Sequence, residues 1–253
     1  MLPFFYISFP DRQSSEIALD EDTSKHVVQV LRMTKGERLR LTDGKGALMT
    51  AAIIDDHRKR SRVKVEAVHL EPPPKRKVTV AISLLKNASR FEWFLEKATE
   101  IGVSSIVPLL CERTEKQHAR IDRLQSILVS AMLQSQQAWL PELSDPTGFS
   151  ELVGRPASGG RYIAHCLEAP RATDSLADWR KMAALAGSAG TLEQGGSGDE
   201  IPQQLILIGP EGDFSSKEIE AALREGFLPV TLGENRLRTE TAGVVAATLL
   251  CIG

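Results

Sequence analysis

Two stretches near the C-terminus place residue types able to do chemistry at close spacing. The first is Ile208-Gly209-Pro210-Glu211-Gly212-Asp213-Phe214, and the second is Leu232-Gly233-Glu234-Asn235-Arg236-Leu237-Arg238-Thr239-Glu240-Thr241-Ala242-Gly243. In the first, the apolar run Leu205–Ile208 enters a tight Gly-Pro-Glu-Gly turn and then a helix, with Ser215 and Glu218 at capping-box spacing. Glycines at the end of a strand let backbone approach a ligand closely, and open parallel sheets bind ligands at that edge. The second follows another short apolar run and leads into Val244–Leu250, whose small side chains allow close packing against a cofactor or a second subunit. Taken alone, strand, glycine turn and helix read equally well as a tight connection without a ligand.

The exclusions are sharper. No Gly-Lys-Ser/Thr follows Gly212 and no Gly-x-Gly-x-x-Gly occurs, which disfavours a nucleotide triphosphatase or a dehydrogenase. The absence of Gly-x-Ser-x-Gly disfavours a serine hydrolase. Cys111, Cys166 and Cys251 are far apart, and the five histidines are scattered, so neither a disulfide frame nor a metal site is expected.

The elements that must position these stretches alternate. Val78–Leu84 reads as a buried strand. A helix follows from Ser89, three residues before Glu92, with Phe91, Phe94, Leu95, Ala98 and Ile101 on one face and Gly102 as its stop. Ile106–Leu110 is a second strand, and Ile121, Leu124, Leu128, Ala131 and Ser135 mark a helix ending near Pro141. Arg161–Cys166, Leu205–Ile208 and Leu228–Leu232 complete an α/β pattern with a parallel sheet and helices on both faces. Residues 184–200 read as a glycine-rich surface loop after a short helix around Trp179.

Upstream, Pro72-Pro73-Pro74 is a stiff spacer that divides residues 1–72 from residues 73–253. Before it the pattern is β-like. Glu37–Leu41 and Ala47–Ile54 flank a hairpin turn at Asp43–Gly46, Val63–Val68 alternates as a half-buried strand should, and Ser24–Arg32 reads as a short helix; a small β-barrel is expected. Residues 1–77 carry a net charge of +4 and the remainder −6, so the basic segment suits phosphate contact or a solvated face alike. No apolar run approaches the roughly 20 residues that cross a bilayer. With no secretory start at Met1–Tyr6, a cytoplasmic location without membrane contact is expected.

Gly209-Pro210-Glu211-Gly212, Leu232-Gly233 and Leu237-Arg238-Thr239-Glu240-Thr241-Ala242 closely resemble the ribosomal RNA small subunit methyltransferase E family, the 16S rRNA uracil-N3 methyltransferases of the SPOUT superfamily. His26–Met33 and Thr42-Asp43-Gly44 resemble that family's PUA-like RNA-binding barrel, and Phe91–Val103 its first catalytic-domain helix. The chain departs at Asp213, where the family has a further glycine, and at Leu133-Gln134-Ser135-Gln136-Gln137, where many members carry charged groups.

The resemblance implies a knotted SPOUT sheet after a PUA-like barrel, a homodimer through the C-terminal helix, and S-adenosylmethionine as methyl donor for 16S rRNA of the small ribosomal subunit. It places the donor among Cys166, Ile208, Gly209, Pro210, Gly212, Leu232, Gly233, Leu237, Arg238, Thr239, Thr241 and Ala242, with Ile208, Leu232 and Leu237 flanking the adenine. Uracil N3 bears a proton, so Arg238 is expected to stabilise the uracilate oxygens, and Glu211 either to act as base or simply to brace the turn. Arg12, Arg32, Arg60, Lys86 and Arg90 are the expected phosphate contacts. The competing readings are a relative that methylates a ribose 2′-hydroxyl or tRNA, and an RNA-binding relative without catalysis.

Overall fold

The computed structural model describes residues 2–8, 15–156, 159–166 and 203–252. Arg12, the glycine-rich 184–200 segment and the helix expected around Trp179 lie outside the described residues. Two compact units are present: Met1–Pro73 with Met132–Leu140, and Pro74–Ala131 with Pro141–Gly253.

In the first unit β1 (Phe4–Tyr6), β2 (Glu16–Ala18), β3 (Arg38–Thr42), β4 (Ala47–Asp55) and β5 (Arg62–Leu70) form one sheet in the order β1-β3-β4-β5-β2. Alternation along β4 turns Ala47, Met49, Ala51 and Ile53 inward, where they join Leu39, Leu41 and Val63 in the core. The β3–β4 turn is held by Asp43, whose Oδ1 accepts the amides of Lys45 (2.8 Å) and Ala47 (3.1 Å). Gly46, at φ 93°, has no room for a side chain, because a Cβ there would stand 2.5 Å from the Trp139 ring. The Trp139 indole in turn donates to the Pro72 carbonyl (3.1 Å).

Two expectations in this unit need correction. The alternation of Val63–Val68 does not continue: Val63 is buried and Val65 half-buried, but Ala67, next in that alternation, is exposed. A bulge opposite Thr50/Ala51 inserts an extra residue into β5 and breaks its period. The short helix begins earlier than Ser24, as α1 (Glu21–Lys25), because Asp20 caps it by accepting from the Thr23 amide (2.8 Å). A π-helical turn, His26–Val30, follows, and Arg32 ends it at φ 55°.

The second unit holds β6 (Lys77–Ser83), α2 (Ala88–Ile101), β7 (Ser105–Leu110), α3 (Ile121–Gln134, whose last turn belongs to the first unit), β8 (Glu142–Leu143), β9 (Thr147–Gly148), α4 (Phe149–Val153), β10 (Gly160–Ala164), β11 (Gln203–Ile208), α5 (Ser216–Arg224), β12 (Leu228–Val230) and α6 (Thr239–Ile252). Its strands are all parallel, in the order β12-β10-β11-β6-β7-β8, with β9 also on β7. The near-continuous apolar runs of β6 and β7 are buried as expected of a sheet covered on both faces.

Asn87, not Ser89, caps α2: its side chain accepts from the Ser89 amide (2.9 Å). Glu92 is thereby released from capping and makes a two-pronged ion pair with Arg123 of α3 (2.6 and 2.7 Å). Gly102 stops the helix in the left-handed region, as its sequence position indicated. Helix α3 ends at Gln134, short of Pro141, and Gln136 closes it at φ 60° with its side-chain amide on the Leu133 carbonyl (3.1 Å). Helix α5 carries the Ser215–Glu218 capping box, and Glu218 also accepts from the Glu112 amide (2.8 Å). The small residues of α6 are explained within the chain at Gly243, where an added Cβ would lie 2.6 Å from Phe94 and 2.8 Å from Ile82.

Candidate active site

The carboxyl ends of β10, β11 and β12 meet at one edge of the parallel sheet, and the described residues at and beyond them line a cavity of about 290 Å³. That is close to the lower end of the roughly 300–1,000 Å³ typical of small-molecule sites. The β10 end contributes Ala164, His165 and Cys166, and the β11 turn contributes Ile208–Glu211 and Asp213. From the end of β12 and beyond it come Val230–Gly233, Asn235–Thr239 and Ala242.

Specific bonds hold these loops together. Leaving β11, the chain turns at Pro210, whose carbonyl accepts the Asp213 amide (2.9 Å), and Asp213 takes φ 63°. Asparagine and aspartate tolerate that region better than most side chains, so an aspartate can occupy this turn without a glycine's freedom. Both its carboxylate oxygens are engaged. Oδ1 accepts from the Phe214 amide (2.8 Å) and Oδ2 from the Cys166 amide (2.9 Å), bridging the turn to the end of β10. Arg236 donates to the Glu211 carbonyl (3.1 Å), tying the loop beyond β12 to the same turn. Arg113 donates to the Gly212 carbonyl (2.7 Å) from the far side.

Of the residues expected around the donor, Cys166, Ile208, Gly209, Pro210, Leu232, Gly233, Leu237, Arg238, Thr239 and Ala242 line the cavity, and so does Glu211. Gly212 and Thr241 are not among the lining residues. Ile208 is buried, Leu232 and Leu237 are half-buried, and together they give the cavity apolar walls. The Arg238 carbonyl is engaged by the Ala242 amide (2.8 Å) at the start of α6, while its side chain is exposed at the rim. That guanidinium makes no hydrogen bond or ion pair with a described residue, in contrast to Arg236 and Arg113.

Three contributors were not singled out in the sequence: His165, Arg236 and the bracing role of Asp213. Asp213 was visible as a departure from the family turn, and Arg236 stood inside the second stretch, but nothing in the sequence marked His165. Neither ring nitrogen of His165 reaches solvent or finds a hydrogen-bond partner among the described residues. Burial lowers its pKa below the ordinary histidine value, against the opposing pull of Asp213, so the ring is neutral at pH 7. Burial and the Asp213 charge raise the Cys166 pKa, which leaves a protonated thiol and no ready nucleophile. Among the described residues no group of His, Cys, Asp and Glu is arranged to hold a metal ion.

The expected phosphate contacts divide between the units. Arg32 and Arg60 are exposed on the first, at the end of the π-helical turn and in the β4–β5 turn. Lys86 and Arg90 belong to the second, and both have acidic partners: Lys86 pairs with Glu115 (2.8 Å) and Arg90 lies 3.7 Å from the buried Glu240.

The geometry has counterparts among known proteins. A family model for an RNA methyltransferase domain matches residues 71–251, and one for an RNA methyltransferase PUA domain matches residues 19–66. Ribosomal RNA small subunit methyltransferase E of Synechocystis is 32% identical over 224 residues, covering 87% of this chain and 68% of that protein. A solved structure from Porphyromonas gingivalis, described as a probable rRNA-methyltransferase, is 38% identical over 99% of both chains, with a TM-score of 0.81. Ribosomal RNA small subunit methyltransferase E of Neisseria gonorrhoeae, solved bound to S-adenosyl methionine, is 25% identical, covers 98% of this chain and 95% of that one, and gives a TM-score of 0.76. With its parallel sheet, its separate PUA-like unit and these relatives, the chain belongs to the RNA methyltransferase family of ribosomal RNA small subunit methyltransferase E.

Proposed function

We propose that this protein transfers a methyl group from S-adenosylmethionine to N3 of a uridine in 16S rRNA. The observation that carries the reading is the convergence of the Ile208–Asp213 turn and the Leu232–Ala242 loop on one cavity at the sheet's carboxyl edge.

The residues present fit the donor. Ile208, Leu232 and Leu237 offer aliphatic surface to a flat heterocycle, and Glu211 and Arg238 set opposite charges at the exposed rim. S-Adenosylmethionine, bound there, supplies an electrophilic methyl on a positively charged sulfur. The protein's task is then alignment and exclusion of water. Glu211, exposed on the rim, would accept the N3 proton of uracil, and Arg238, the guanidinium left free there, would stabilise the oxygens of the resulting anion.

In this reading residues 1–72 form the RNA-holding domain and residues 73–253 the catalytic one. Arg12, Arg32, Arg60, Lys86 and Arg90 contact phosphates, and the target base is turned out into the pocket. The protein acts on the small ribosomal subunit in the cytoplasm as a homodimer with a trefoil-knotted catalytic domain. The apolar C-terminal helix, with Ile252 70% exposed, supports the dimer.

The test is mass mapping of small-subunit RNA from cells lacking this protein. One methyl group on a uracil should disappear and return when the protein is supplied. An unaltered methyl pattern, or a loss located on a ribose, would overturn the assignment.

A further inference from the structure

We propose that Glu240 is a positioning residue for the RNA substrate: its buried carboxylate holds the Arg90 guanidinium beside the pocket, turned outward to take a phosphate near the target uridine. This rests on reading Arg90 as a phosphate contact of an RNA methyltransferase.

β6 lies beside β11 in the parallel sheet, so its carboxyl end opens on the same edge as the pocket and leads into α2. Arg90 stands in the first turn of α2. Glu240 stands in the first turn of α6, directly after Thr239, which lines the pocket, and close behind Arg238 at its rim. The two helices pack tightly, since a Cβ at Gly243 of α6 would meet the Phe94 ring of α2 at 2.6 Å. Arg90 thus adjoins the segment that carries Arg238 and Thr239.

The Glu240 side chain is only 9% exposed and that of Arg90 is 40% exposed, with Nε 3.7 Å from Oε1. Among the described residues, Arg90 is the one cation within 4 Å of this carboxylate. The second oxygen, Oε2, is buried and has no hydrogen-bond partner among those residues. A helix dipole favours an acid in the first turn, but it does not call for burying that acid against a half-exposed cation. At 3.7 Å the pair is ionic and not hydrogen-bonded, and the guanidinium makes no hydrogen bond with a described residue. Arg123 is the contrast, with Nε and Nη2 both spent on Glu92. The Arg90 fork can therefore face the carboxylate with one edge and a phosphate with another. A side chain tethered by its charge loses less freedom when the phosphate arrives, and so binds it more tightly than a free one.

The experiment turns on sign. Glu240→Gln removes a negative charge near the RNA, so long-range electrostatics alone would strengthen binding, whereas loss of positioning weakens it. In filter binding to small ribosomal subunits from cells lacking this protein, Glu240→Gln should bind about three- to tenfold more weakly than the native chain. Glu240→Asp keeps the charge and shortens the reach, so it should weaken binding in the same direction. Arg90→Ala should weaken binding about tenfold and lower the slope of log affinity against log salt by about 0.7 to 0.9. The pair Glu240→Gln/Arg90→Ala should bind no worse than Arg90→Ala alone, because Glu240 acts through Arg90. Calorimetric affinity for S-adenosylmethionine should stay within about threefold of native in each variant, which a collapsed α2–α6 junction would not allow. Unchanged or tighter subunit binding in both Glu240 variants, or penalties that multiply in the pair, would overturn the proposal and leave the methyltransferase reading standing. Native binding by Arg90→Ala would remove the phosphate role of Arg90 and the proposal with it. Failure of the native chain to bind subunits at all would overturn the ribosomal RNA reading as well.

Discussion

Arg238→Ala should lower the rate of methyl transfer to small-subunit RNA by about 10²- to 10³-fold, the usual cost of removing one donor to a developing oxyanion. Affinity for S-adenosylmethionine should change by less than about threefold. The separation follows from where the two ends of the residue lie. The Arg238 backbone carbonyl is taken by the Ala242 amide and builds the start of α6, which alanine preserves. The side chain is exposed at the rim and bonded to no described residue, while Arg236 and Arg113 are spent on the carbonyls of Glu211 and Gly212. A guanidinium not engaged in holding the fold is available to the reacting base. Single-turnover rates at saturating donor make the measurement, because they isolate a loss of kcat from a loss of binding. A rate equal to the native one would remove Arg238 from the mechanism.

Gly243→Val should destabilise the protein by about 3 kcal/mol, as overpacking of a rigid core does at its upper range. Even the first carbon of the new side chain would stand 2.6 Å from the Phe94 ring and 2.8 Å from the end of Ile82. Phe94 and Ile82 are both fully buried, so neither has room to withdraw. Helix α6 would have to move away from α2 and β6, carrying with it Thr239 and Ala242, which line the pocket. Urea denaturation should show a lower midpoint, and donor affinity should fall in parallel. A midpoint matching the native one would mean that α6 does not depend on this close approach. The small residues at this helix start were open to two explanations in the sequence, a cofactor or a second subunit. At Gly243 the neighbour is instead the chain's own α2 and β6, while at Ala242 it is the pocket.

Much of the catalytic architecture was legible because it is written locally. Buried parallel strands are near-continuous apolar runs, so β6, β7 and β11 appeared within a residue or two of their observed ends. The Ser215–Glu218 box and the Gly102 stop depend on three or four neighbouring residues and were readable for the same reason. Where two local signals competed, the spacing of Ser89 and Glu92 pointed to the wrong cap: Asn87, also a capping residue, takes that role and leaves Glu92 to pair with Arg123, 31 positions away. The β5 bulge arises from pairing with β4 and leaves no mark in the alternation of β5 itself.

The site shows the same division. The Ile208–Asp213 and Leu232–Ala242 stretches were conspicuous by composition, and they do meet. The contacts that tie them to each other and to the rest of the sheet edge could not be read, because each links positions distant in the chain: Arg236 to the Glu211 carbonyl, Asp213 to the Cys166 amide, Arg113 to the Gly212 carbonyl. His165 is the clearest case. An isolated histidine carries no signal by type alone, and the burial of its two nitrogens, unpartnered among the described residues, comes from a fold that the sequence does not spell out.

Calorimetric titration of S-adenosylmethionine into the full chain tests the central claim most directly, with Leu237→Asp as the comparison. Leu237 is only half-buried, so a carboxylate there should leave the fold intact while placing a charge on the pocket wall. The account expects saturable binding at one site per chain in the native protein and at least tenfold weaker binding in Leu237→Asp. Absence of saturable binding to the native chain, or equal affinity in the two proteins, would contradict it.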